Sequence, residues 1–578
     1  LSARRPFDLI LFFLALLPAA FIVRLVAVYG VNVPFGDEWA LLPLFGKWGE
    51  HHLSLADLFR QHNEHRILVP KLIYLGFVQL THWNTKAEMF FSIVLCGLTS
   101  ASLFRLLRQT VPGTIRRHLS LWGAFNLLLF GPAQAENWLW GFQCQVFIPA
   151  ACLVVSLLVL APPAVERLRF IGAFMLAVLA TFSFGNGLLL LPLIGLYLSS
   201  KSASRRWVLT WAALSAIVLL SYFFAYEHHP APKAHPASAF DYWIYFIRFN
   251  GNALGQFPFP FPFRLTLTAI IGTGALLAFA TSAGRLLRRR GFRGSSALPW
   301  IALGLYAIGS AVIATFGRIH EGTLQAIDSR YSTVSINLFI ALAGLIALLS
   351  RDFRPALHRS QFKRLLPSFE VAYLTFILFW YTAALPGAIM RTSKLSQLKL
   401  QGLANLQFCK IISPSATLRR SLRINVGYEE FVRDVAVIQQ LHLLDPPLRT
   451  SDLLYDSGDA SKAPANEFGR LETVARRGQT LFELSGWAFL PLENQPAAAV
   501  VLAYRRGNSW HAFALADVNE ERIGVPSTSS AFPELSGWRR TIDMATLPKG
   551  VHEISAWSVD AANAEVFRLP GTFALPQS

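Results

Sequence analysis

The feature that most constrains this chain is a series of about eleven apolar stretches, near 7–29, 86–107, 119–135, 146–162, 168–184, 186–200, 207–226, 265–283, 297–316, 333–350 and 369–390. A helix needs roughly 20 apolar residues to cross about 30 Å of hydrocarbon. Helices and closed barrels alone satisfy every backbone polar group there. The series therefore predicts a mainly α fold, a polytopic bundle of transmembrane helices. Composition agrees: 53% of the 578 residues are hydrophobic and only 15% charged, where a soluble chain carries about 25% charged residues. The formal charge of +18 would suit a nucleic-acid binder. The Lys and Arg stand in short runs between apolar stretches, however, which is a pattern of membrane topology, so no nucleic-acid partner is expected.

Two further classes are disfavoured. Cys96, Cys144, Cys152 and Cys409 show no CxxC spacing, which argues against a disulfide framework or a thiolate metal site. Arg4-Arg5 followed by the first apolar run could pass for a secretory signal, but the run is too long and lacks a small-x-small cleavage site. A signal anchor is expected instead.

The connecting segments divide into two kinds. Those at 105–118, 166–169, 201–206, 285–293 and 351–364 are basic, and the positive-inside rule places them in the cytoplasm. Those at 37–66, 134–145, 182–186, 227–264 and 316–331 are rich in acids, amides, His and aromatics, and must then share the outer face. The apolar segment 67–83 is short and carries Pro70 and Lys71, so it is expected to lie in the interface or to re-enter. After residue 390 the hydropathy falls. Helical stretches at 394–412 and 428–444 and a polar linker at 450–466 precede alternating runs punctuated by Arg506-Gly507-Asn508 and Pro548-Lys549-Gly550. That pattern predicts a C-terminal antiparallel β-sandwich. The expected organisation is a membrane domain over 1–390, a helical linker over 391–465 and a sandwich over 466–578. Leu-Ser-Gly-Trp occurs twice, at 484–487 and 535–538, either as a pair of similar edge strands or as an aromatic platform for sugars.

Several outer segments concentrate groups capable of chemistry. Gly36-Asp37-Glu38-Trp39 sets two carboxylates at the membrane boundary, where partial desolvation raises a carboxylate pKa toward that of a general base. His62-Asn63-Glu64-His65-Arg66 places five polar side chains before an apolar run. A guanidinium there can hold phosphate oxygens, and Glu64 or the histidines could orient it, hold an acceptor hydroxyl or bind a metal. The spacing matches no metal motif, which leaves a divalent ion open but unassigned. Glu136, Asn137, Trp138 and Gln143 lie in a mix of amides, acid and aromatics of the kind that builds sugar sites. Asn186 stands between glycines in a sharp turn. The segment 316–331 carries Arg318, His320, Glu321, Asp328, Arg330 and Tyr331, and outer arginines call for an anionic partner such as a lipid-linked phosphate. The segment 227–264 joins His228, His229 and His235 to alternating Phe and Pro at 257–263, suited to guiding or anchoring in lipid. Each cluster also has a plainer reading: Trp39 and Trp138 as interface anchors, Arg66 snorkelling, and Arg318 and Arg330 in ion pairs with Glu321 and Asp328.

Asp37-Glu38 after the first helix, many spans with short Arg-bearing outer loops, and a terminal β-rich domain together resemble the GT-C glycosyltransferases. Asn63-Glu64-His65-Arg66, Glu136-Asn137 and Asn186-Gly187 are similar to clusters in uncharacterised bacterial members. The resemblance covers roughly 7–390. It implies a polyprenyl-phosphate sugar donor, transfer on the periplasmic side of a bacterial inner membrane, and Asp37 as base. A compact first loop and the HNEHR cluster depart from better-known members.

The resulting expectation is an inverting transfer to a glycan, lipid or protein acceptor. In it, Arg66, Arg318 and Arg330 neutralise the leaving phosphate. Glu38, Glu64 and Glu136 orient Asp37 or bind hydroxyls, and His62, Asn63, His65, Asn137, Trp138, Gln143, Asn186, His320 and Tyr331 surround the substrate. Two rivals remain: a ligase or polymerase of lipid-linked glycans, and a lipid or sugar-lipid transporter. The transporter calls for ionisable groups deep within several helices, which are scarce apart from Arg24.

Overall fold

A computed structural model describes residues 5–162, 165–201, 205–227, 237–256, 259–352, 365–457, 467–520, 535–551 and 553–574. His228, His229, His235, Phe257 and most of the basic segment 351–364 lie outside the described residues, as does 458–466 of the expected linker. The chain divides into two compact units. One comprises Leu1–Gly30, Ser54–Gly76 and Lys86–Ser393, the other Val31–Leu53, Phe77–Thr85 and Lys394–Ser578.

The first unit is helical and membrane-embedded. Among the described residues, eight helices of the chain are long and apolar enough to cross a bilayer: Pro6–Tyr29, Thr85–Thr110, Gly141–Val159, Arg205–Phe223, Phe261–Arg290, Leu298–Glu321, Ser329–Ser350 and Glu370–Gln407. Three of the eleven expected stretches form shorter helices instead, Ile115–Leu129, Arg167–Thr181 and Gly185–Ser200. At 1.5 Å per residue a 15-residue helix reaches only about 22 Å. The difference has a physical cause. Hydropathy runs smoothly through 130–135 and 182–187, but the backbone there turns into 3-10 segments at Pro132–Gln134 and Gly185–Leu189. Irregular backbone at membrane depth is tolerated when buried in protein. The segment expected to lie flat or re-enter is the 14-residue helix Leu68–Thr81.

Burial separates the axis of this bundle from its rim. In Ser329–Ser350, 94% of the apolar stretch is buried, against 17% in Arg205–Phe223. The first is enclosed by other helices, while the second turns most of its side chains outward, as a lipid-facing helix does.

The second unit combines helices with a β-rich domain. Its strands are β1 (Leu453–Leu454), β2 (Gly469–Arg476), β3 (Leu481–Leu490), β4 (Gln495–Pro496), β5 (Ala499–Arg506), β6 (Ser509–Ala516), β7 (Val518–Glu520), β8 (Gly537–Asp543), β9 (Glu553–Asp560) and β10 (Glu565–Ala574). They form two antiparallel sheets, β1-β6-β5-β9-β10 and β2-β3-β8-β7 with β4 on β3. Inward residues of both, including Leu484, Val500, Leu502, Trp538, Ile554 and Ala556, make one apolar core. Register shifts that leave extra residues on β2, β6 and β10 bend the strands, as bulges do.

The two Leu-Ser-Gly-Trp phrases are paired neighbours, Gly486 opposite Trp538 and Trp487 opposite Gly537. They lie on interior strands, and Trp487 and Trp538 are buried. Neither the edge-strand reading nor an exposed sugar platform fits them.

The region expected as a helical linker is helical over Tyr428–Gln440. That helix buries Phe431, Val435 and Ile438, and Phe431 packs against Trp39 at 5.7 Å. The boundary between the units falls at Ser393, within the continuous 43-residue helix Leu365–Gln407.

Candidate functional site

The segment 62–65 is a two-residue hairpin turn. The His62 and His65 backbones exchange hydrogen bonds of 2.8 and 2.9 Å, and Asn63 adopts φ 49°, a conformation Asn tolerates better than most residues. The turn aims Glu64 at Arg318: Nη2 donates to Oε2 at 2.6 Å. The other arm of Arg318 donates to Glu321 at 2.9 Å, whose second oxygen accepts from Gln325. Gln325 in turn accepts from the Tyr245 hydroxyl at 3.1 Å. His320 lies 3.8 Å from Glu321. Ion-paired arginines were the plainer expectation for this loop, and they are what the structure contains.

Arg66, expected at a phosphate, sits elsewhere. Its Nε donates to the Tyr222 carbonyl at 2.6 Å, Nη1 to Phe59 at 2.7 Å, and Nη2 to Phe224. The guanidinium is buried and caps the carboxyl end of Arg205–Phe223, where the helix dipole favours a cation. All three of its nitrogens are engaged by the main chain. Lys71 does the same for the helix Leu55–Phe59, donating to the carbonyls of Asp57, Leu58 and Arg60.

His65 packs on Phe184 with ring centroids 4.3 Å apart. Burial, then the Arg318 charge and His62, push its pKa down to about 3, so the imidazole is neutral at physiological pH. The glycine turn beside it needs its glycines for close approach. A Cβ on Gly187 would stand 1.8 Å from the Ala180 carbonyl oxygen, and one on Gly185 would stand 2.8 Å from His65 Nδ1. Asn186, between them, is buried.

The 134–143 segment also folds inward. Asn137 donates to the Arg330 carbonyl at 2.8 Å and to Thr333 at 2.6 Å, and Thr333 donates to Gln134 at 2.6 Å. Arg330 pairs with Asp328 at 3.2 Å, lies over the Tyr331 ring, and feels the Glu136 charge. Trp138 and Gln143 correct the expectation of an aromatic sugar platform. Trp138 is fully buried, donates to the Gly131 carbonyl at 3.1 Å and packs on Phe147 at 5.0 Å; Gln143 is buried too. Nothing can stack on a ring with no exposed face.

Four sequence-separated clusters thus meet within the first unit. Glu64 joins Arg318, His62 meets the Phe142 ring at 5.3 Å, His65 meets Phe184, and Asn137 meets Arg330. Sequence reasoning passed over Tyr222, Tyr226, Asn252, Gln256 and Thr333, which tie the segments together. Tyr226 donates to the Glu64 carbonyl at 3.0 Å, and Asn252 and Gln256 to the carbonyls of Asp328 and Ile327 at 2.7 Å each. Their signal was a single polar group at the edge of an apolar stretch.

The fifth cluster, Asp37-Glu38, belongs to the second unit. Glu38 is fully buried and accepts from the Phe35 amide at 2.7 Å. The Lys399 and Arg423 cations lie 4.8 and 4.9 Å from the Phe35 ring, and Gly36 donates to the Leu422 carbonyl at 2.9 Å. Glu38 therefore folds its turn within that unit. Asp37 is half-buried, with no hydrogen bond or ion pair to its carboxylate from the described residues.

No family model matches the chain, and no curated protein or solved structure does either. Two arginines held by three carboxylates, with amides and hydroxyls around them, form an ion-paired polar cluster with a formal excess of one negative charge at the ends of membrane-length helices. Among the described residues no three His, Cys, Asp or Glu side chains gather as a metal set; Glu64, the central member of the conceivable trio with His62 and His65, is turned to Arg318.

Proposed function

We propose that this chain is a GT-C-like membrane glycosyltransferase. It moves a sugar from a polyprenyl-phosphate donor to an acceptor on the outer side of a bacterial inner membrane. The observation that carries the reading is the meeting of Glu64, Arg318, Glu321, Asp328, Arg330 and Asn137 in one cluster at the ends of membrane-length helices. A charged cluster beside hydrocarbon suits a substrate whose head is charged and whose tail is not.

In this reaction the acceptor oxygen attacks the anomeric carbon and gives its proton to a carboxylate base, the role that the GT-C resemblance assigns to Asp37. The bond to the phosphate oxygen breaks and the polyprenyl phosphate leaves with the electron pair. Arg318 and Arg330 meet the developing charge by exchanging a carboxylate partner for a phosphate oxygen, a replacement between acceptors of like geometry. Arg66 serves by fixing the turn that presents Glu64. Asp37 is the candidate base because its carboxylate is half-buried and unengaged by the described residues, whereas Glu38 is committed to its own turn.

The test is transfer from polyprenyl-phosphate sugars by the purified full chain. Asp37→Asn should lower the rate by about 10²–10⁴-fold while the protein stays folded. Near-normal transfer in that variant removes Asp37 from the mechanism, and absence of transfer by the wild type across such donors rejects the activity.

A further inference from the structure

Arg318 and Arg330 each hold a carboxylate, although Arg330 Nε is itself buried without a partner among the described residues; for Arg264 and Arg391 in the first unit no carboxylate partner is found among those residues. In Arg391 both Nε and Nη2 are buried, and in Arg264 Nε is buried, and none of the three meets a hydrogen-bond partner among the described residues. An unsatisfied buried donor on a charged group is costly, and these two charges also repel one another.

Both side chains stem from the protein-facing side of their helices. Trp380, Ala384 and Ala388 are fully buried at helical spacing, and Arg391 continues that stripe. Arg264 is one turn before the fully buried Thr268, which donates to the Arg264 carbonyl at 2.7 Å. One short segment bridges the two helices: Trp380 donates to the Leu254 carbonyl at 3.0 Å, and a Cβ on Gly255 would stand 2.2 Å from Thr268 Oγ1. Around the pair, Arg264 lies 5.2 Å from the Phe261 ring, and no described carboxylate bonds to either guanidinium.

The backbone adds to this. Arg264 occupies the first turn of Phe261–Arg290, whose start has no side-chain cap. The positive end of the dipole there disfavours a lone cation and favours a bound anion. Three buried guanidinium nitrogens without a partner among the described residues, one of them on the first turn of an uncapped helix, are unfavourable empty and complementary to an oxyanion.

We propose that Arg264 and Arg391, with the first turn of Phe261–Arg290, form a binding site for a phosphate-class anion, separate from the Arg318–Arg330 cluster. The anion can come from a lipid headgroup or from free phosphate. The site does not depend on the transferase reading: it stands if Asp37→Asn is fully active, and falls on binding alone.

The experiment measures binding to the full chain in two arms. One titrates inorganic phosphate into detergent-purified protein at fixed ionic strength. The other uses native mass spectrometry to follow retention of phosphatidic acid after reconstitution in phosphatidylcholine vesicles containing it. Wild type should hold about one anion per chain at this site. Arg264→Gln and Arg391→Gln should each weaken binding about tenfold or more, the loss of one charge-assisted contact, while Arg288→Gln, an exposed arginine at the other end of the same helix, should not. Arg391→Lys, which keeps the charge and loses the fork, should bind at an intermediate level and covers the case in which a glutamine variant does not fold. Binding in both arms, or in the lipid arm alone, supports the site and names its source. Binding in neither arm, or equal binding by wild type, Arg391→Lys and Arg288→Gln, overturns it.

Discussion

Lys86 and Arg116 hold opposite ends of the first helix. Lys86 Nζ donates to the Ala27 carbonyl at 2.8 Å, and Arg116 Nε to the Asp8 carboxylate at 2.8 Å. The 19 steps from Asp8 to Ala27 rise about 28 Å, the thickness of a hydrocarbon core. Cysteines introduced at these two positions should therefore react with a membrane-impermeant reagent from opposite sides of sealed vesicles. Labelling of both from one side would refute the arrangement of the first three helices.

Arg66 holds three main-chain carbonyls, those of Phe59, Tyr222 and Phe224. Arg66→Ala should destabilise the protein by roughly 2–4 kcal/mol, read as an earlier thermal transition in detergent, whether or not substrate is present. A variant with unchanged stability but impaired phosphate binding would restore Arg66 to the ligand.

The glycine turn permits one kind of change only. With a Cβ 1.8 Å from the Ala180 oxygen, Gly187→Ala should abolish folded expression or shift the helix Arg167–Thr181. Normal melting behaviour would mean the backbone is far less constrained there than the contact implies.

His65 gives the membrane unit an acid-sensitive contact. Its folded pKa of about 3 lies below the ordinary 6.5 because of burial, Arg318 and His62. Between those values the unfolded chain takes up a proton that the folded chain refuses, so stability falls as pH falls below about 6.5. His65→Gln should flatten the acid side of the stability profile, measured by melting temperature from pH 7.5 to 4.5. A parallel slope in wild type and variant would exclude this origin.

Asp434 has the opposite sign. Burial chiefly, with Glu430 against it and Arg433 opposing, raises its pKa from 3.8 to about 7; the side chain is buried and Oδ2 lacks a partner among the described residues. The folded chain keeps a proton that the unfolded chain has lost, so this contribution is complete below pH 3.8 and gone as pH rises through 7. Asp434→Asn should stabilise the protein at pH 8 and leave it nearly unchanged at pH 4.

Much of this was legible in sequence. Long apolar runs gave the membrane helices, and alternation after Phe468 gave the strands, because both periods are direct images of burial. The breaks at 130–135 and 182–187 were hidden because Phe, Ala and Leu read alike in a helix and in a buried turn. Trp138 looked like an anchor or a platform, since composition does not say which face of a ring is covered. Arg66 looked like a ligand because its acceptors are carbonyls contributed by residues 59, 222 and 224, and main-chain oxygens have no sequence signature. Arg264 and Arg391 carry no sequence signal, being single cations at the margins of apolar runs.

The cations seated on helix ends alter how sidedness should be reckoned. Lys201 donates to the carbonyls of Leu160, Ala161 and Pro162, Arg117 pairs with Glu370 at 2.8 Å, and Arg116 is held by Asp8. Each stood in a loop whose positive tally set the orientation, yet each is already answered within the fold. An insertion machine that reads the nascent chain before those partners exist sees their full charge, while the finished protein presents far less of it to the lipid headgroups.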